Sequence, residues 1–366
     1  MSRIKHFWLL EAPDKLLNWL VSPRNFGLKL ASFGLLFLGF PSAINWAVDF
    51  AGNADSSVLK VHISSSDIPN WLTIASYLLG GLLVIFGLII GILHNFQDRQ
   101  LASRRRVLAV EFRGMIDTTD VPLVHAVKGT VLTQTEEILF DVREHVKRGT
   151  VSEIELALSK ISRLPERLKE KSLGRDRADI RVFAGALMPV PLQFYAGFLF
   201  DDETSLTLMD WQRNEGKWRS LDEIDDLERF MPCALPEHGS SQIVLAVSIS
   251  YEVDYEGIEK CFQNMPIVRL RQKIPTVNSS WSEDKQQALG QQFLIIVGQL
   301  ANLGIKKIHL ILAAPSSLCV RLGSLYDHRN FPELIVYQYE KTNSKAYPWG
   351  VLMPTHGIEK HDVITT

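Results

Sequence analysis

The sequence predicts an α/β protein in two parts: a pair of N-terminal transmembrane helices, then a body built from two copies of one strand–helix unit. Three observations carry this expectation. Residues 71–93 form a charge-free run of 23 residues, residues 30–48 form a second, and short apolar segments beyond residue 106 recur in the same order. With 366 residues, 46% hydrophobic and 22% charged, the chain has room for two or three domains and an ordinary globular composition.

The run 71–93 (WLTIASYLLGGLLVIFGLIIGIL) would reach about 35 Å as a helix, enough to cross a hydrocarbon core with some tilt. A soluble core helix would normally keep one polar face, and this run has none. The run 30–48 (LASFGLLFLGFPSAINWAV) is weaker, with Pro41 and Asn45 near its end. A signal peptide is the competing explanation. Against it, Trp8, Trp19 and mixed charges precede the run, and no Ala-x-Ala cleavage site follows. Residues 26–98 are therefore expected to hold two transmembrane helices, at about 28–48 and 71–93.

Flanking charge orients them. Arg3, Lys5, Lys15, Arg24 and Lys29 precede the first charge-free run; Arg99, Arg104, Arg105 and Arg106 follow the second; Lys60 stands alone between. The positive-inside rule puts both termini in the cytoplasm. Residues 1–25 interleave Phe7, Trp8, Leu16, Leu17 and Trp19 with charges, as expected of an interfacial segment on the inner leaflet or of a helix packed on the body. Neither apolar run holds an ionisable residue, which argues against a transporter or pump. Two helices enclose no pore alone, so they are expected to act as an oligomer. Gly87-x-x-x-Gly91 and Ser76-x-x-x-Gly80 would allow close helix approach.

Residues 1–106 carry ten Lys or Arg against six Asp or Glu, and residues 107–366 carry 29 against 35. An acidic body argues against binding polymeric nucleic acid, while leaving room for a small anion held by backbone N–H groups and a few arginines. Cys233, Cys261 and Cys319 are scattered, and no histidine pair has metal-ligand spacing. Neither a disulfide framework nor a metal site is expected, and a reducing cytosol suits the body.

The body repeats itself. Residues 107–110 (VLAV) recur as 244–247, 180–186 (IRVFAGA) as 308–314 (IHLILAA), and 206–211 (LTLMDW) as 334–339 (LIVYQY). Pro-x-x-Leu-x4-Gly follows the second strand twice, as Pro189, Leu192, Gly197 and as Pro315, Leu318, Gly323. Trp218 and Trp349 close the units. Between the strands lie helical patterns, one opening at Ser282 and ending at Gly304, the other kinked at Pro165. Residues 118–151 have no obvious counterpart in the second unit. Buried strands alternating with helices predict parallel sheets, hence two Rossmann-like halves at 104–220 and 221–366.

Such sheets bind ligands at the carboxyl ends of their strands. That selects Arg113, Thr118 and Thr119 in the first half and Ser248, Ser250 and Tyr251 in the second. At the next crevice position it selects Pro189 and Gln193, then Pro315, Ser316, Ser317 and Arg321. The second set opens a helix, where free N–H groups suit phosphate. The plainer alternative is that both prolines only start helices and Arg321 is solvated. Arg269, Arg271 and Lys273 could reach phosphate or line a solvated strand edge. No phosphate-binding loop, dinucleotide fingerprint or nucleophile elbow occurs. Glu283-Asp284 and Asp225-Asp226 read as helix-start or surface charge. No catalytic residue is assigned.

The stretches IHLILAAPSSLCVRLG (residues 308–323), LIVYQYE (334–340) and YPW (347–349) resemble the SAVED domain, the cyclic-oligonucleotide sensor of bacterial CBASS antiphage systems. SAVED domains resemble two fused CARF units, in keeping with the duplication. With two membrane helices in front, the chain is similar to the two-transmembrane SAVED effectors. The resemblance implies a sensor–effector rather than an enzyme. It implies a cyclic oligonucleotide ligand, foremost a cyclic trinucleotide, made by a partner CBASS nucleotidyltransferase and bound across both halves, with no other cofactor. It further implies a homo-oligomer on ligand binding, disruption of the inner membrane and abortive infection. The rival it leaves open is a membrane-anchored CARF-like enzyme that cleaves its own cyclic oligonucleotide.

Overall fold

The structure, a computed structural model, describes residues 26–44, 47–50, 61–64, 70–104, 106–115, 117–131, 135–147, 150–151, 153–174, 176–200, 205–236, 240–327, 329–341, 343–354 and 361–366. The segment 1–25 read as interfacial lies outside them. The chain divides into two compact units, residues 1–102 and 103–366.

The first unit contains helix α1 (Phe26–Ile44), strands β1 (Ala47–Phe50) and β2 (Val61–Ser64), and helix α2 (Asn70–Arg104). The first helix ends at Ile44, short of the expected residue 48, because Ala47–Phe50 pair antiparallel with Val61–Ser64. The second continues well past residue 93 to Arg104, about 52 Å of helix for its 35 residues. Within it, Thr73–Leu93 is long and apolar enough to span a membrane and is mostly exposed; the apolar stretch of α1, Phe26–Leu38, is shorter. Glycines bring the two helices together. A methyl group on Gly27 would lie 2.5 Å from the Gly87 carbonyl oxygen, and one on Gly34 would lie 2.7 Å from that of Gly80. Gly87 in turn faces Ala31, and Gly80 faces Leu38. Gly80 and Gly87, expected to serve contacts between copies, are thus occupied within one chain. A side chain at Gly91 would point into open space, although its backbone lies against Gly27.

In the second unit, the first half runs β3 (Arg106–Arg113), α3 (Leu123–Thr130), β4 (Thr135–Asp141), a small hairpin of β5 (Val146–Lys147) and β6 (Thr150–Val151), then α4 (Ile154–Ile161), α5 (Leu164–Ser172), β7 (Ile180–Leu187), α6 (Val190–Phe198), β8 (Leu206–Gln212) and β9 (Lys217–Ser220). The second half runs β10 (Gln242–Ser248), α7 (Tyr255–Cys261), β11 (Ile267–Arg271), α8 (Glu283–Asn302), β12 (Lys307–Ala313), α9 (Ser316–Leu325), β13 (Glu333–Gln338), β14 (Trp349–Leu352) and β15 (Asp362–Thr365). The sheet orders are β4-β3-β7-β8-β9 and β11-β10-β12-β13-β14-β15. Each is parallel except for its closing antiparallel strands. The α/β class and the duplication are as the sequence predicts.

One expectation is corrected. Residues 118–151 do have a counterpart, since α3 and β4 occupy the places of α7 and β11, and only the small hairpin is extra. The short helices share no sequence pattern, which hid the match. Elsewhere the local chemistry acts as expected. Ser282 caps α8 by accepting the Lys285 N–H at 3.3 Å, and Gly304 takes φ +85° past its end. In the first half the helix breaks into α4 and α5, with Pro165 in the first turn of α5.

Strand alternation sorts the core. Leu108, Val110 and Phe112 join Ile243, Leu245 and Val247 in one continuous cluster between the halves, together with α6 and α9. The opposite faces pack separately: Val107 and Ala109 under Leu123 and Val127 of α3, Val244 and Ala246 under Ile258 of α7 and Phe262. The Pro-x-x-Leu-x4-Gly repeat is the crossing of α6 with α9. A methyl group on Gly197 would lie 2.0 Å from the Val320 carbonyl oxygen, and one on Gly323 would lie 2.1 Å from that of Phe194. Val320 and Phe194 are themselves repeat equivalents, so the crossing is pseudo-twofold. No larger residue permits this approach at either position.

Candidate functional site

The crossing brings the helix starts of α6 and α9 to the carboxyl ends of both sheets. There each half caps the other. Asp210, near the end of β8, accepts the Ser317 N–H at 3.1 Å and the Ser317 hydroxyl at 2.7 Å through one carboxylate oxygen. Gln338, its repeat equivalent at the end of β13, accepts the Val190 N–H at 3.0 Å. Burial pushes the Asp210 carboxyl above its ordinary range, partly offset by the Ser317 bonds. The α9 start, expected to suit phosphate, therefore already faces a carboxylate of its own chain.

The site residues expected from sequence fall into three groups. At the crossing, Pro189 and Pro315 precede α6 and α9 as N-caps. Gln193 donates to the Met188 carbonyl and, at 3.1 Å, to the Ser316 hydroxyl; its own Oε1 is buried without a hydrogen bond among the described residues. Ser317 also accepts from Gln286 at 2.7 Å. Arg321 lies deeper than expected, only 9% exposed, donating to Glu283 at 2.5 Å and to Gln286 at 3.4 Å. Burial lowers its pKa despite the adjacent Glu283. It is not solvated, as the plainer alternative had it, but forms an internal ion pair with Glu283.

At the end of β3, Arg113 and Thr118 are buried around Glu111, a fully buried carboxylate the sequence reading missed. Glu111 accepts Arg113 at 2.7 Å, the Thr118 hydroxyl, and the Leu123 N–H of α3 at 2.7 Å. This cluster lies on the α3 side of the sheet, away from the crossing. Thr119 is exposed and bonded to Asp117 at 2.6 Å. At the end of β10, Ser248 accepts the Val253 N–H at 3.2 Å, Ser250 is buried with its N–H on the Ala313 carbonyl at 2.9 Å, and Tyr251 is 53% exposed.

Further rim residues come from the repeat itself. Three positions past Asp210 and Gln338 stand Arg213 and Lys341, repeat-equivalent cations, both exposed, in the turns that leave β8 and β13. Tyr339, just past β13, and Met115, just past β3, present exposed apolar surface. Aligning LTLMDW with LIVYQY and reading two residues onward would have found both cations. The Arg269, Arg271 and Lys273 cluster instead lines an open cleft of about 670 Å³ along β11, with Met231, Cys233 and Ile267. There Arg269 lies 4.4 Å from the centre of the Tyr255 ring. Among the described residues, no group of three or more His, Cys, Asp or Glu side chains could hold a metal ion.

Residues 164–353 match the family model of SAVED, the SMODS-associated sensor domain fused to various effectors. Residues 7–158 match that of the SAVED-fused 2TM effector domain. Among solved structures, the chain is similar to the Acinetobacter baumannii Cap4 SAVED/CARF-domain containing receptor with the cyclic trinucleotide 2'3'3'-cAAA, at 11% identity over 75% of this chain and 59% of that one, with TM-score 0.44. It is also similar to the Moraxella osloensis Cap4 receptor, at 12% identity over 78% and 59%, with TM-score 0.44. The chain thus spans about 59% of the length of these structures. No curated protein matches the sequence.

Proposed function

Because the chain belongs to the SAVED family, in the form fused to a two-transmembrane effector region that sets it at a membrane, we propose that it is an antiphage sensor–effector of the CBASS type. A cyclic oligonucleotide made by a partner nucleotidyltransferase binds across the carboxyl rims of both halves. The bound protein oligomerises, and the gathered membrane helices disrupt the inner membrane and abort the infection. Both termini lie in the cytoplasm. The ligand is sensed, not cleaved.

The observation that carries this reading is the reciprocal cap at the α6–α9 crossing. It ties each half's strand end to the other half's helix start, so a ligand touching both rims bears on one joint. Arg213 and Lys341 are exposed cations in the turns after β8 and β13, available to phosphate, and Tyr251 and Tyr339 offer faces for base stacking. The halves match in backbone and differ in rim chemistry. That favours a ring without twofold symmetry, such as a cyclic trinucleotide, over an even-numbered ring. Chain connectivity supports coupling to the membrane: Arg105 alone separates the end of α2 from the start of β3.

The test uses the full chain in detergent and in liposomes. Titration with cyclic di-, tri- and tetranucleotides should raise the melting temperature with a trinucleotide most, since binding the native state stabilises it. The same ligand should increase particle size and release dye from proteoliposomes. No thermal shift with any ring at saturation would reject the sensor reading. Dye release without a size change would reject assembly as the trigger.

A further inference from the structure

The segment joining the halves holds a loop that no ligand-sensing role requires. Residues 222–228 (DEIDDLE) carry five carboxylates, and between them Ile224 is 94% exposed and Leu227 is 75% exposed. Leu227 adopts φ +62°, a left-handed conformation costly for a residue with a branched side chain. The loop is nonetheless fixed. The Glu223 N–H donates to the Trp281 carbonyl at 3.1 Å, and Asp225 and Asp226 accept the N–H groups of Leu227 and Glu228 at 2.9 Å. Buried Lys285 pairs with Asp226 at 2.7 Å and Glu228 at 3.3 Å, and Arg229 pairs with Asp225 at 2.5 Å. Several ion pairs thus hold a strained turn whose effect is to project two aliphatic side chains into water.

The complement lies just beyond it. The cleft of about 670 Å³ along the edge strand β11 combines an apolar lining, including Met231 and Ile267, with the cations Arg269, Arg271 and Lys273. Arg219, Arg229 and Lys285 pair with the five loop carboxylates and leave an excess of negative charge. In the cleft, Arg271 pairs with Glu252 at 3.5 Å, and Arg269 and Lys273 are exposed. Loop and cleft are thus complementary in sign of charge and matched in hydrophobicity. The loop does not fill the cleft of its own chain, because it is tied to the start of α8 and Ile224 remains exposed. We propose that it docks in the cleft of a second copy of this chain. Glu228 and the cleft residue Met231 are three positions apart, so donor and acceptor share one side of the second half. A copy that offers its loop can receive one, and the pairing is reciprocal and twofold. It forms without ligand, although Arg271 at the end of β11 stands beside Ser248 of the second half's carboxyl rim.

Sedimentation of the full chain in detergent tests this. The wild type should be a dimer at low salt whose dissociation constant rises at least about tenfold between 50 and 500 mM NaCl. Ile224→Ser alters a side chain that is 94% exposed and should weaken the dimer about tenfold or more at an unchanged melting temperature. Lys273→Glu, at an exposed position of the cleft, should do the same from the other side. Mixing the two variants should restore a heterodimer, because one loop–cleft contact of the two remains intact. A wild type that is monomeric at low salt overturns the proposal. So does a dimer insensitive to Ile224→Ser, or a mixture that stays monomeric. Loss of ligand binding would not bear on it, since the pairing is read without ligand.

Discussion

In the first half of the body the opening strand ends in a buried ion pair, Glu111 with Arg113; at the same register the second half has Ser248 and Ser250. The first half caps its neighbour's helix with Asp210, the second with Gln338. The first half divides its long helix at Pro165, while the second keeps twenty helical residues unbroken. Against these differences, the strand order, the helix crossing and the paired glycines are shared. The contrast separates two kinds of constraint. Backbone packing at the crossing acts on both copies at once, because each glycine touches the other half, so neither can change alone. A polar group at a strand end needs only one partner of its own, so the rims were free to diverge.

The comparison breaks first at the glycines if it breaks at all. Gly197→Val and Gly323→Val each drive a side chain into a carbonyl about 2 Å away, and each should cost about 3 kcal/mol or more. Chemical denaturation of the detergent-solubilised chain should show equal losses. A tolerated variant at one position would mean that the crossing is not shared evenly. At the caps the halves should differ. Asp210→Ala strands the buried Ser317 N–H and hydroxyl and should cost about 2–3 kcal/mol, whereas Gln338→Ala removes one neutral bond worth about 1 kcal/mol. Equal losses in the same melts would erase the asymmetry argued for the caps.

Acid should find the second half first. His309 is buried between Tyr337 at 3.0 Å and Gln242 at 3.1 Å, and burial, with Lys307 nearby, lowers its pKa to about 4. Its repeat equivalent, Arg181, is exposed. The unfolded chain takes up a proton near pH 6.5 that the folded chain accepts only near pH 4, so this contribution to stability is full above pH 6.5 and falls as pH drops through that window. The loss between pH 7 and pH 5 should be about 2 kcal/mol and should be flattened in His309→Gln. A slope unchanged by the variant would move the acid sensitivity elsewhere.

The duplication was legible because buried strands and the helix crossing leave apolar words that repeat, from VLAV to Pro-x-x-Leu-x4-Gly. The α3–β4 segment was not, since a short covering helix can meet its sheet with many side-chain sets. The membrane runs were legible by length, but the intrachain use of Gly80 and Gly87 was not, because small-residue spacing does not say which helix approaches. The candidate site was half legible. Helix starts and strand ends follow from the pattern, which located Gln193 and Ser317. What the pattern lacks is pairing: Arg321 faces Glu283, and Arg113 faces Glu111, partners fixed only when distant or alternating positions are brought onto one face.

The smallest expected effect is the sharpest on function. Arg213 and Lys341 stand at equivalent places in the turns after β8 and β13, exposed, one a guanidinium and one an ammonium. A guanidinium can hold a phosphate through two parallel N–H bonds, while an ammonium acts as a point charge, so equivalent positions should contribute unequally. Because both side chains are exposed, each bond is weakened by solvent, and the effects should be modest. Arg213→Ala should weaken cyclic trinucleotide binding about tenfold, and Lys341→Ala about threefold, with the melting temperature of the free protein unchanged in both. Arg213→Lys should fall to the Lys341-like value if geometry rather than charge is what Arg213 supplies. Calorimetric titration of the full chain in detergent reads all three. Equal affinity in wild type and both alanine variants would remove the turns after β8 and β13 from the ligand site and leave the joint between α6 and α9 to bind through Gln193 and the backbone alone.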